Sequence, residues 1–276
     1  MEREMAIRER FENGTPSWVD VSTKDADAVG RFYRAVFGWR PVPVEPIELS
    51  MGYTMLTLRS EPVAAISPPV YRSPEPVWTT YIAVDDCDAT FAIARDMGAA
   101  VAVEPMDARQ QGRLAILADP QGAYFGLWQA YDHVGARIVN EPGSLCWNQL
   151  ATSDVPGAVE FYGQVFGWKL VQVRLGDDVP PYNSLTLNGR PVAGATPLED
   201  EPGAAAKKGL AARSHWIAHF AVADCDATLE LVTANGGTIE REPATSLAGR
   251  GASCRDPLGA YFSIITLADA LSNQYG

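Results

Sequence analysis

The feature that most constrains this chain is that it contains itself twice. Residues 16–39 read PSWVDVSTKDADAVGRFYRAVFGW and residues 145–168 read LCWNQLATSDVPGAVEFYGQVFGW. Trp18, Asp25, Tyr33 and Trp39 recur as Trp147, Asp154, Tyr162 and Trp168, a constant offset of 129 positions (18 to 147, 39 to 168). Downstream, WTTYIAVDDCDAT (78–90) matches WIAHFAVADCDAT (216–228), and LADPQGAYFGLW (117–128) matches SCRDPLGAYFSII (253–265). Order and spacing agree, apart from a few residues gained in one loop. A repeat of this length implies two similar domains, each large enough to bury a core. The expected limits are a lead over 1–15, a first domain over 16–129, a linker over 130–144, a second domain over 145–267 and a tail over 268–276.

Within one half the strand and helix signals alternate. Trp18 to Ser22 alternates as a strand should, and Asp25 is placed to cap a following helix. Val29, Phe32, Tyr33, Val36 and Phe37 form one apolar helical stripe, and Gly38 suits a left-handed C-cap. The pattern then repeats: a strand over 78–85, Asp88 as cap, a helix to Met97 and Gly98 as its stop. Cys87 and Cys225 fall at equivalent strand-to-helix junctions, where a small buried hydrophobe fits. Asp119-Pro120-Gln121-Gly122 and Asp256-Pro257-Leu258-Gly259 read as tight turns between strands. Four such units with short strands and short helices predict an α+β fold of curved, mixed sheets.

The segments DADAVGRFYRAVFGW, YIAVDDCDAT and LADPQGAYFGLW resemble the vicinal-oxygen-chelate superfamily of glyoxalases, bleomycin-resistance proteins and ring-cleavage dioxygenases, in its two-domain actinobacterial branch. The resemblance covers residues 16 to about 267. It implies a tandem pair of domains built from βαβββ modules, each pair of modules curving into a U-shaped sheet around one cavity. It also implies where a metal would sit. The first-strand ligand position falls on Trp18 and Trp147, the fifth-strand position on Thr79 and Ile217, and the eighth-strand position on Gly126 and Ser263. None of these is a good ligand for a divalent cation. The chain has three histidines, His133, His215 and His219, and neither an HxH nor an HExxH pattern. No metal and no cofactor is expected.

Charge and composition exclude other classes. The net charge is −12 and the longest basic run is Lys207-Lys208, so a phosphate backbone is repelled and nucleic acid is not an expected partner. No apolar stretch is long enough to span a bilayer, and MEREMAIRERFENG lacks the apolar core of a secretory signal. The four cysteines make neither a CxxC motif nor a disulfide framework. A cytoplasmic protein with no membrane partner is expected. A homodimer is compatible with the sequence, which does not specify one.

With no metal at their centre, the cavities would be lined by inward-facing strand positions. In the first half these are Trp18, Asp20, Tyr81, Tyr124 and Trp128; in the second, Trp147, Gln149, His219 and Ser263. An aromatic box with few polar groups suits a flat or greasy organic ligand. Asp20, if inward, must be paired or protonated more readily than usual; a strand-edge carboxylate is the competing reading. His219 could act as general base or ligand contact, against a satisfied core histidine. Core packing competes for Trp18 and Trp147.

Two functions follow from these linings. One is metal-free binding of a small hydrophobic, aromatic or polyketide-like molecule for resistance or sequestration. The other is a cofactor-free isomerase, cyclase or lyase using Asp20 or His219 with Tyr81 as acid–base groups. The proline-bearing segment 60–77 reads as a stiff loop, and 198–214, longer and rich in Ala and Gly, as a mobile lid over the second cavity or as a disordered stretch. With the neutral amide of Gln149 and the imidazole of His219 in its lining, and the longer segment beside it, the second cavity is the expected working site.

Overall fold

The computed structural model describes residues 7–45, 50, 52–69, 76–174, 181–200 and 213–268. The first half runs β1 (Pro16–Ser22), α1 (Ala26–Phe37), β2 (Arg40–Pro43), β3 (Thr54–Leu58), β4 (Glu61–Ser67), β5 (Val77–Ala83), α2 (Cys87–Asp96), β6 (Ala100–Asp107), β7 (Gly112–Ala118) and β8 (Tyr124–Ala130). The second repeats it: β9 (Ser144–Thr152), α3 (Val155–Phe166), β10 (Lys169–Val173), β11 (Tyr182–Leu187), β12 (Arg190–Pro197), β13 (His215–Ala221), α4 (Cys225–Ala234), β14 (Thr238–Ser246), β15 (Gly249–Arg255) and β16 (Tyr261–Leu267). Each half contributes one eight-stranded mixed sheet, ordered β2-β3-β4-β1-β5-β8-β7-β6 and β10-β11-β12-β9-β13-β16-β15-β14. The fold is α+β, with two βαβββ modules per sheet meeting at the antiparallel β1–β5 and β9–β13 pairs.

Local chemistry explains the helices. The Asp25 side chain accepts the Ala28 N–H, and Gly38 closes α1 at φ 75°, a conformation that costs glycine little. In α2 the cap is Asp86, which accepts from Ala89 N, whereas Asp88 was expected; the helix starts earlier, at Cys87. Asp88 instead lies in the first turn and forms an ion pair with Arg113. Cys87 and Cys225 are buried at these junctions.

The segment 60–77 is not one loop. Residues 61–67 are β4, which pairs in parallel with β1, since each module needs its last strand to return beside its first. Of the expected lid, Leu198–Asp200 form a short 3-10 turn, and residues 201–212 lie outside the described residues.

The apolar outer faces of the sheets are shared between the halves. One core joins α1 and β1 to α4, β13 and β16, with Phe32, Phe37 and Trp39 packed against Phe220 and Phe262. Its repeat joins α3 and β9 to α2 and β8, with Phe125 against Phe161 and Phe166. Each buried aromatic is worth about 1.5–3 kcal/mol, so parting the halves would expose both cores.

Reciprocal polar ties fix the same junction. Asp119 Oδ1 accepts the N–H groups of Gln121 and Ala123 within its own turn, and Oδ2 accepts the Tyr162 hydroxyl of the other half at 2.9 Å. Asp256 does the same with Leu258, Ala260 and Tyr33. Trp78 and Trp216 in turn donate to Tyr33 and Tyr162. The repeated DPxG turn is therefore both hairpin and clasp. Because the outer faces are used up in this way, the inner faces are left for a site.

Candidate functional site

On the inner face of the first sheet, alternation along β1 directs Trp18, Asp20 and Ser22 to one side. Trp18 pairs with Tyr81 and Asp20 with Thr79 across the β1–β5 ladder, and Tyr81 pairs with Gly126 on β8. A Cβ at Gly126 would overlap the Tyr81 ring, so glycine there lets the phenol lie flat across β8. Asp20 is 2% exposed. Its Oδ2 accepts the hydroxyls of Tyr81 at 2.9 Å and Tyr53 at 3.3 Å, and its Oδ1 accepts Ser67 Oγ at 3.3 Å. Trp18 Nε1 donates to the Tyr53 oxygen at 2.9 Å, which extends the chain to a fourth donor.

Burial pushes the Asp20 carboxyl up to about 7, against the three hydroxyls that favour the charged form. Tyr53 is held well above its ordinary value by burial and the neighbouring carboxylate, so it remains a neutral donor. Around this group lie Trp18, Trp128, Ile116 and Ala65, with Tyr124 and Met55 partly buried beside them.

The second sheet carries the same frame with different chemistry. Trp147 Nε1 donates to the Tyr182 hydroxyl at 2.8 Å, and Tyr182 donates to Gln149 Oε1 at 3.2 Å. Gln149 thus stands where Asp20 stands, and His219, paired with Trp147 and Ser263, stands where Tyr81 does. His219 is partly exposed, yet its Nε2 is buried without a hydrogen-bond partner among the described residues. Burial, and then the charge of Arg241, lower it to about 3, so the imidazole is neutral. Ser263 Oγ lies 3.0 Å from Ser253 Oγ.

The expected residues therefore form two groups, Trp18, Asp20, Tyr81, Tyr124 and Trp128 on one inner face and Trp147, Gln149, His219 and Ser263 on the other. His219 and Tyr81 are not brought together, so of the two acid–base pairings expected only Asp20 with Tyr81 is formed. His219 and Tyr81 hold equivalent positions in different sheets, because β13 is the repeat of β5. Tyr53, Tyr182 and Ser67 were missed. YTMLTL at 53–58 and YNSLTL at 182–187 stand at the same offset of 129 (53 to 182), so extending the repeat would have found both tyrosines.

A family model, the glyoxalase/bleomycin resistance protein/dioxygenase superfamily, matches this chain twice, over residues 15–127 and 131–264. The chain belongs to that superfamily. It is 38% identical over 270 residues to CFP32 of Mycobacterium tuberculosis, which carries a glyoxylase name, covering 95% of this chain and 98% of the relative. It is 34% identical over 274 residues to the anthracycline biosynthesis protein DnrV of Streptomyces peucetius, covering 94% and 96%. Among solved structures, the Mn(II)-bound glyoxalase of Novosphingobium aromaticivorans shares the fold with a TM-score of 0.60 at 18% identity, covering 96% of this chain and 91% of that one. Homoprotocatechuate 2,3-dioxygenase of Arthrobacter globiformis does so with 0.62 at 16% identity, covering 96% and 82%.

Superfamily relatives that bind a metal raise the question of whether these residues fit one. In the first sheet, β1 pairs in parallel with β4 as β5 pairs with β8, so Ala65, opposite Asp20, is the β4 counterpart of Gly126. Gly194, opposite Gln149, takes that place in the second sheet. The four central positions are thus Trp18, Ala65, Thr79 and Gly126, and Trp147, Gly194, Ile217 and Ser263. Two hydroxyls are the only side-chain oxygens in the two sets, and they do not fit a divalent cation. Among the described residues no three His, Cys, Asp or Glu side chains are grouped to hold one.

Proposed function

We propose that this superfamily member binds a flat, hydroxylated aromatic molecule of polyketide type, without a metal, on the inner face of its first half. One observation carries the reading: a buried carboxyl with three convergent hydroxyl donors, set among Trp18, Tyr81 and Trp128. Asp20 near neutrality can accept from or donate to a ligand oxygen, and the indoles offer faces for stacking. The relationship to a full-length protein named for anthracycline biosynthesis supports this class, since anthracyclines are fused-ring hydroxyquinones. His219, Gln149 and Ser263 give the second half a neutral polar lining, suited to a ligand of its own.

A second reading is favoured by the same carboxyl. A group at about 7 is matched to proton transfer near neutral pH, so Asp20 with Tyr81 would serve a cofactor-free isomerase, cyclase or lyase. The test is titration of the purified protein with quinizarin (1,4-dihydroxyanthraquinone), followed by tryptophan fluorescence, with and without a chelator. Saturable binding that a chelator leaves unchanged, and that Asp20→Asn weakens about 5- to 150-fold, is expected. Binding that vanishes with chelator, or an unaffected Asp20→Asn variant, refutes the proposal. Chemical change of a bound hydroxyquinone, absent in Asp20→Asn, selects the second reading.

A further inference from the structure

His133 falls in the segment read from the sequence as the linker. The structure folds this segment, after β8, back over the first sheet. His133 N donates to Gln111 O at 3.0 Å, Trp128 Nε1 donates to His133 O at 2.8 Å, and Ala136 N donates to Ser17 O at 2.8 Å. These bonds hold the imidazole edge-on to two indoles, with ring centroids 4.4 Å from Trp18 and 5.6 Å from Trp128. The residue is 8% exposed. Its Nε2 has no hydrogen-bond partner among the described residues.

That arrangement is not what packing alone favours. A ring nitrogen without a partner in an apolar cage carries a desolvation cost that a phenyl ring of similar shape would avoid. Burial lowers the imidazole to about 4, so near neutral pH it offers one lone pair and one N–H rather than a charge. A hydroxyl group can satisfy either nitrogen form, whereas a carbonyl can satisfy only the N–H. Trp18 links this nitrogen to the carboxyl site, since its ring meets His133 and its Nε1 bonds Tyr53, which bonds Asp20. Two polar anchors therefore flank one indole, in keeping with a fused-ring ligand substituted at two points.

We propose that His133 Nε2 is a direct ligand contact of the first-half site, hydrogen-bonding a phenolic hydroxyl of the bound aromatic molecule. This rests on the reading of that site given above. The experiment compares quinizarin with unsubstituted anthraquinone on the wild type, His133→Phe and His133→Leu, and records each variant's urea midpoint without ligand. Quinizarin should bind the wild type more tightly than anthraquinone and lose about tenfold in His133→Phe, the scale of one unmade hydrogen bond. Anthraquinone should change less than twofold, and at least one variant should match or exceed the wild-type midpoint. Equal losses for both probes, no loss for quinizarin, or lowered midpoints in both variants would overturn the assignment.

If neither quinone binds the wild type, the ligand class of the site fails, and phenol then decides the role of His133. A shift of its Nε2 resonance in nitrogen-15 NMR with phenol and not with toluene upholds the contact. No shift with phenol removes it.

Discussion

Replacing Asp20 by Asn should make the protein's stability depend less on pH, by an amount that the structure sets. The carboxyl rises from an ordinary value of 3.8 to about 7 in the fold, with burial as the main cause. Between those values the folded chain holds a proton at Asp20 that the unfolded chain has lost, so the contribution of this group to wild-type stability falls as pH rises from 4 to 7. At about 1.4 kcal/mol per pH unit, the full effect is roughly 4 kcal/mol. Asn is neutral throughout and lacks this dependence. Its amide, which brings two donors to a site already supplied by Tyr81, Tyr53 and Ser67, adds an offset that does not vary with pH. Asp119 and Asp256 are also raised by burial, but they are common to both proteins and cancel in the difference. The assay is urea unfolding of both proteins at intervals from pH 4 to 9. The stability of Asp20→Asn minus that of wild type should climb by about 4 kcal/mol up to pH 7 and then level off. Parallel curves would mean that Asp20 is ionised or solvated in the fold, and a falling difference would reverse the sign of the argument.

Two further outcomes follow from the packing. Tyr33→Phe strips Trp78 Nε1 of its acceptor and Asp256 of a donor, and Tyr162→Phe does the same to Trp216 and Asp119, so each should cost about 1–3 kcal/mol in urea unfolding; a change below about 0.5 kcal/mol would show the clasps to be idle. Gly126→Ala must push Tyr81 off Asp20, costing about 1–3 kcal/mol and weakening quinizarin, whereas Ser263→Ala at the equivalent position removes only a hydroxyl contact; equal stability losses in the two variants would refute the steric account.

The sequence by itself determined the repeat, the α+β class, the caps at Asp25 and Gly38, and the inward set on each sheet. These are local or periodic properties: alternation directs side chains to a face, and a left-handed C-cap calls for glycine. Even Tyr53 and Tyr182 were within its reach, through the same offset that relates Trp18 to Trp147. Tertiary structure decided what those side chains do. Asp20 has a perturbed carboxyl because the fold buries it, and the hydroxyls of Tyr53, Tyr81 and Ser67, on three other segments, offset only part of that shift. Tyr33 and Tyr162 resemble ordinary core positions in their helices, yet each bonds a turn more than forty residues away in the opposite half. His133 carried no periodic signal at all. Its place among the indoles comes from a segment that has no regular secondary structure and is fixed by backbone bonds to β1 and to the turn before β7, which no pattern of residue types encodes.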